Sequence, residues 1–125
     1  MRPTILTVDD SPSLRQMVTL TLRQAGFEVL EAEDGKAGLE LAKQHDIALV
    51  ITDQTMPRMD GVTLIAALRA LPAYAKRPII VLTTETDPQI KARARAAGAS
   101  GWMNKPFDPA RLLEVVDKVL GQNRA

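Results

Sequence analysis

Residues 47–53 read Ile47-Ala48-Leu49-Val50-Ile51-Thr52-Asp53, an almost unbroken apolar run that stops on a carboxylate. A strand with one face in water alternates apolar and polar residues. A run without alternation fits a strand covered on both faces, as in a parallel sheet. Ile5-Leu6-Thr7-Val8 and Ile79-Ile80-Val81-Leu82 have the same character. Two weaker runs, Phe27-Glu28-Val29-Leu30 and Gly101-Trp102-Met103, supply further strands nearer the edges.

Helical spacing fills the intervals. Leu14, Met17, Val18, Leu22 and Ala25 share one face, as do Leu64, Ile65, Leu68 and Leu71, and again Leu112, Val116, Val119 and Leu120. Ser11-Pro12, Asp87-Pro88 and Asp108-Pro109 each set a capping side chain before a proline, whose missing N–H costs nothing in a first helical turn. Gly26, Gly98 and Gly121 stand where helix C-termini are expected, and Gly35 opens a further helix through Lys43. Pro72 to Pro78 is the longest candidate loop. Strand and helix thus alternate five times, with crossovers long enough for right-handed parallel connections. The expected fold is α/β, a doubly wound sheet of five parallel strands with five helices, forming one domain over residues 1–125.

Composition narrows the function. Apolar residues make up 46% and charged residues 25%, the balance of a globular chain. Sixteen Lys and Arg against fifteen Asp and Glu leave a net charge of +1, which supplies no electrostatic case for nucleic acid or a membrane surface. No cysteine is present, so disulfides and thiolate metal sites are excluded. No signal peptide or spanning segment is legible, and the expected compartment is the cytoplasm.

The informative residues are those that end the apolar runs. Asp9 and Asp10 end the first strand, Asp53 the third and Thr83 the fourth, while Lys105-Pro106 follows the fifth. In a doubly wound sheet these positions share the C-terminal edge, where ligands bind. Three carboxylates brought together repel unless a cation intervenes, and magnesium prefers such hard oxygen donors. A lysine adds a compact charge for a phosphate-like oxygen, and a threonine hydroxyl adds a donor. The set suits phosphoryl transfer, which depends on positioning and charge neutralisation, and a carboxylate can itself be the nucleophile.

Asp9-Asp10, then Asp53-Gln54-Thr55-Met56-Pro57-Arg58-Met59-Asp60-Gly61, Thr83-Thr84-Glu85 and Lys105-Pro106-Phe107, in that order, resemble the receiver domain of two-component response regulators. The resemblance covers nearly the whole chain and implies a flavodoxin-like strand order, 2-1-3-4-5. It implies that Asp53 accepts a phosphoryl group. Asp10, Asp53 and the Thr55 carbonyl would bind magnesium, with Asp9 acting through water. Lys105 and Thr83 would contact phosphoryl oxygens, and Lys105-Pro106 would be a cis peptide. Thr55 and Glu85 occupy positions that tune self-dephosphorylation. At the switch position, commonly Tyr or Phe in this family, the chain has Trp102.

Other residues carry less. His45, the only histidine, reads as an exposed bystander. Lys91, Arg93 and Arg95 read as the solvated face of an alanine-rich helix that little side chain locks down. That helix, the fifth strand and the last helix are the expected output surface. The chain ends at Ala125, about where the fifth helix closes, so no output domain is expected to follow.

The resemblance therefore implies a stand-alone regulator of chemotaxis type, not an enzyme acting on external substrates. Its phosphoryl donor would be a sensor histidine kinase, and its target a flagellar motor switch or another regulator. A phosphate sink for the kinase is the near alternative. A magnesium-dependent aspartyl phosphatase would carry Asp-x-Asp after the first strand, where this chain has Asp9-Asp10-Ser11. A flavin carrier would need a Gly, Ser and Thr-rich phosphate loop there, and the acidic pair opposes one.

Overall fold

A computed structural model describes residues 2–121. Among these, five strands alternate with five helices: β1 (Thr4–Val8), α1 (Pro12–Gln24), β2 (Glu28–Ala32), α2 (Gly35–Gln44), β3 (Leu49–Thr52), α3 (Gly61–Arg69), β4 (Ile79–Thr83), α4 (Pro88–Ala97), β5 (Gly101–Asn104) and α5 (Pro109–Val119). Ala125, where the sequence reading closes the last helix, lies outside the described residues.

The strands form one parallel sheet in the order β2-β1-β3-β4-β5, so the two weaker runs are its edges. Alternate residues of each central strand enter opposite cores. Leu6, Val8, Val50, Ile79 and Val81 pack with Leu64, Ile65 and Leu68 of α3 and Ala94 of α4. Ile5, Leu49, Ile51, Ile80 and Leu82 pack with Val18 and Leu22 of α1 and Leu112 and Val116 of α5. Both faces of the sheet are therefore dry, which is why these strands contain no polar alternation.

Helix starts follow the expected chemistry. Ser11, Asp87 and Asp108 cap α1, α4 and α5, each ahead of a proline. The cap of α2, not assigned from sequence, is Asp34, whose carboxylate accepts the Ala37 N–H at 2.7 Å. Gly26 (φ 98°) and Gly98 (φ 117°) end α1 and α4 in the left-handed region.

Several boundaries differ from the sequence reading. Phe27 belongs to the end of α1, not to β2: its N–H reaches back to the Leu22 carbonyl while Gly26 donates to Arg23, the paired bonds of a Schellman motif. Ile47 precedes β3, its N–H going to the Tyr74 hydroxyl. The segment after α3 is not an open loop. Pro72–Tyr74 form a short 3₁₀ turn, and the buried Tyr74 hydroxyl donates between the Ala42 and His45 carbonyls, 2.7 Å from each. Leu71 lies beyond α3. Met17 is not on the buried face of α1 but 56% exposed, because the helical advance of about 100° per residue turns it away from the Val18–Leu22 stripe. Thr19 is buried instead.

Candidate functional site

The strand order reverses between β1 and β3, since the chain leaves β1 toward β2 and returns to β3 on its other side. A crevice opens at the C-terminal ends of such a pair. Asp9 follows β1 directly, and its N–H bonds the Ala32 carbonyl of β2. Asp53 follows β3, and its N–H bonds the Val8 carbonyl of β1. The sheet ladder thus continues one residue past each strand and delivers both carboxylates to the same edge.

Lys105 arrives from the far side of β4. Its N–H bonds the Thr83 carbonyl at 2.9 Å, and the Lys105-Pro106 peptide is cis. The Lys105 ammonium donates to Asp9 Oδ2 at 2.8 Å and Asp53 Oδ2 at 2.9 Å, with all three side chains about nine-tenths buried. Burial pulls the ammonium pKa down, but the hydrogen bonds and charges of Asp9 and Asp53 outweigh it and hold the group above its ordinary value.

Asp10 completes the cluster. One carboxylate oxygen from each of Asp9, Asp10 and Asp53 lies within 4.8 Å of the others, and Asp10 is the exposed member. Three carboxylates against one ammonium leave two negative charges uncompensated. Such a set of hard oxygens around a water-facing opening fits a small divalent cation.

Backbone donors orient the two buried acids. Asp53 Oδ1 accepts the Gln54 N–H at 2.6 Å, and Asp9 Oδ1 accepts the Ser11 N–H at 2.9 Å. The loop after Asp53 is drawn tight by Gln54, whose carbonyl takes the Gly61 N–H and whose side-chain oxygen takes the Val62 N–H, both at 2.9 Å. Gly61 has no room for a side chain: a Cβ there would stand 2.5 Å from the Asp53 carbonyl. Within the same loop Arg58 holds φ at 67°, and its guanidinium reaches Asp34 at the start of α2.

The structure thus brings together Asp9, Asp10, Asp53 and Lys105. Thr83 ends the adjacent strand, fully buried, and its hydroxyl accepts the Glu85 N–H at 3.1 Å. Thr55 is exposed on the loop after Asp53. The Glu85 carboxylate folds back on the Thr86 and Asp87 N–H groups. Trp102 pairs in register with Val81 and packs half-buried against the α3 and α4 side of the core.

Sequence reasoning missed several supporting residues. Arg15 donates to the Asp9 carbonyl at 2.7 Å and pairs with Glu31 at 2.9 Å. Its place one turn beyond Ser11 was the available signal. Gln54, Arg58 and Asn104 had none, because each acts through contacts that only the assembled loops create.

The response regulator receiver domain model matches residues 5–117. A chemotaxis protein CheY homologue of Campylobacter jejuni is 40% identical over 119 residues, covering 94% of this chain and 92% of the relative. The chemotaxis protein CheY4 of Vibrio cholerae superposes with a TM-score of 0.91 at 43% identity, covering 95% of this chain and 99% of that one. The receiver domain of a Pseudomonas aeruginosa sensor histidine kinase, solved with magnesium coordinated in its active-site cleft, superposes with a TM-score of 0.90 at 25% identity, covering 98% and 100%. Sheet order, edge chemistry and these likenesses agree: the chain belongs to the response regulator receiver domain family.

Proposed function

We propose that this chain is a stand-alone response regulator, one receiver domain over residues 1–125, that takes a phosphoryl group on Asp53 from a phosphohistidine of a sensor kinase. Its phosphorylated form signals by binding a protein partner in chemotaxis or motility, with the cytoplasm as its compartment. The observation that carries this reading is the Lys105 ammonium shared by Asp9 and Asp53 at a crevice with Asp10 at its mouth.

In the transfer, an Asp53 carboxylate oxygen attacks phosphorus, the bond from phosphorus to the donor histidine nitrogen breaks, and an acyl phosphate forms. The Gln54 N–H and Lys105 hold Asp53 in place for attack, and Lys105 then pairs with a phosphoryl oxygen. Asp10, Asp53 and the Thr55 carbonyl would hold magnesium, with Asp9 contributing through water, and the ion would supply charge neutralisation for the transferring phosphoryl group. The carboxylate donor set supports this ion, and so does the magnesium in the Pseudomonas relative. Thr83 turns its hydroxyl toward the phosphoryl group, and Trp102 changes its packing in response. Thr55, on the loop after Asp53, and Glu85, on the loop after Thr83, set the rate at which water removes the phosphoryl group. The partner binds across α4, β5 and α5. Support for a movable surface there is that Ala94 alone is buried among the residues of α4. The CheY relatives support the chemotaxis role.

The test is incubation with phosphoramidate and magnesium, read by intact mass. One phosphoryl adduct is expected on the parent and none on Asp53→Asn. An adduct that persists in the variant removes Asp53 as the acceptor.

A further inference from the structure

Thr83 and Glu85 form a closed turn: the Thr83 hydroxyl accepts the Glu85 N–H at 3.1 Å. That turn has a single side-chain tether to the neighbouring strand among the described hydrogen bonds, and it comes from Asn104. The Asn104 amide donates to the Glu85 carbonyl at 3.2 Å and lies 3.5 Å from the Thr83 carbonyl. Both neighbours are carbonyl oxygens, which only accept, so the amide nitrogen is the atom that must face them. Asn104 is also the last residue of β5 and directly precedes Lys105, whose own N–H takes the Thr83 carbonyl at 2.9 Å. Lys105 and Asn104 therefore grip consecutive parts of one turn, the first beside the carboxylate cluster and the second beside the β4–α4 loop.

We infer that Asn104 is a positioning residue that latches the β4–α4 loop in its unphosphorylated arrangement and so sets how readily Thr83 can turn toward a phosphoryl group on Asp53. The inference rests on the phosphoacceptor reading above. Holding the Glu85 carbonyl keeps the Glu85 N–H aimed at the Thr83 hydroxyl. Rotation of that hydroxyl toward Asp53 gives up the Glu85 bond, and the loop must then yield against Asn104. The latch is present only in the starting arrangement, so its loss favours departure from it. The α4 helix beyond the loop offers little resistance, with only Ala94 buried, while its other end is tied by Arg69 donating to the Gly98 carbonyl at 2.6 Å. Motion released at Asn104 is thus directed to the N-terminal end of α4.

The experiment replaces Asn104 with Leu and, separately, Val, neither of which can donate. Beryllofluoride binding in the presence of magnesium is followed by NMR, with magnesium titration and amide hydrogen exchange measured on the same proteins. The expected result is about threefold tighter beryllofluoride binding in both variants, the scale of one exposed hydrogen bond. Magnesium affinity should be unchanged, and exchange at the Glu85 amide should be faster before any phosphoryl mimic is added. Binding that is unchanged or weaker overturns the latch, as does a parallel change in magnesium affinity, which would place the effect at the carboxylates. A shift in Leu but not Val would assign it to side-chain size and also overturn the proposal. A parent that fails to bind beryllofluoride sinks the phosphoacceptor reading and the latch with it, whereas a responsive parent with unresponsive variants sinks the latch alone.

Discussion

Lys105 and Asp34 show how a charged side chain survives out of water. Lys105 is held by two carboxylates, and removing it would leave Asp9 and Asp53 facing one another across a nearly closed space. Asp34 is held by the start of a helix. The Ala37 N–H holds its carboxyl below the ordinary value of 3.8; burial works against this, and the Arg58 guanidinium, 2.5 Å away, adds to it. A carboxyl whose pKa is lower folded than unfolded contributes stability above the unfolded value and loses it as pH falls through the folded one. Asp34→Asn keeps a capping oxygen but removes the charge. It should therefore be less stable than the parent by about 1 kcal/mol at neutral pH, with the difference closing below pH 3.8. Urea unfolding across a pH series measures this, and a difference that does not change with pH would show that the charge is irrelevant. Arg58, whose backbone takes φ 67°, gains its fixed position from the same pair.

At the scale of elements, Arg69 does what no helix contact could. It projects from the last turn of α3 and donates to the Tyr74 carbonyl at 2.8 Å, the Arg77 carbonyl at 2.6 Å and the Gly98 carbonyl at 2.6 Å. It thereby joins α3, the 3₁₀ turn, the approach to β4 and the end of α4. Burial pulls its pKa down, yet a guanidinium stays charged where an ammonium would be less secure. Its close fit also explains Gly98, where an added Cβ would stand 2.7 Å from Arg69 Nε. Arg69→Lys keeps the charge but cannot aim donors at carbonyls on separate elements. Chemical denaturation should show a loss of about 2 kcal/mol, because several partly buried carbonyls lose their donors at once. A loss under about 0.5 kcal/mol, the lower end for one hydrogen bond, would mean that water replaces the clamp.

For the whole molecule, the two uncompensated negative charges at the sheet edge are a cost of folding. Asp53 comes within 4.8 Å of the neighbouring Asp9 and Asp10 only when β1 and β3 pair, and the unfolded chain keeps it apart from them. A divalent cation bound there should raise the melting temperature, with a stabilisation of about 2.7 kcal/mol at a hundredfold excess over its dissociation constant. Differential scanning calorimetry with magnesium tests this. The increment should fall sharply in Asp10→Asn, and a parent melting curve indifferent to magnesium would argue against a metal at this edge.

The α/β class, the five strands and helices, the edge positions of β2 and β5 and most helix caps were legible in the sequence. Each follows from local rules: an unalternating apolar run means a strand dry on both faces, and Asp-Pro or Ser-Pro marks a helix start. The positions of Asp9, Asp53, Thr83 and Lys105 at strand ends were equally plain, because strand polarity assigns them to one edge. What the sequence could not disclose is how the loops close. Phe27 leaves the sheet to finish a helix, Met17 turns to solvent, and Asn104, Arg15 and Arg69 find backbone carbonyls from 5 to 29 residues away. A backbone carbonyl is the same on every residue, so nothing in the chain's lettering says which side chain will meet it; only the packed arrangement of neighbouring loops decides.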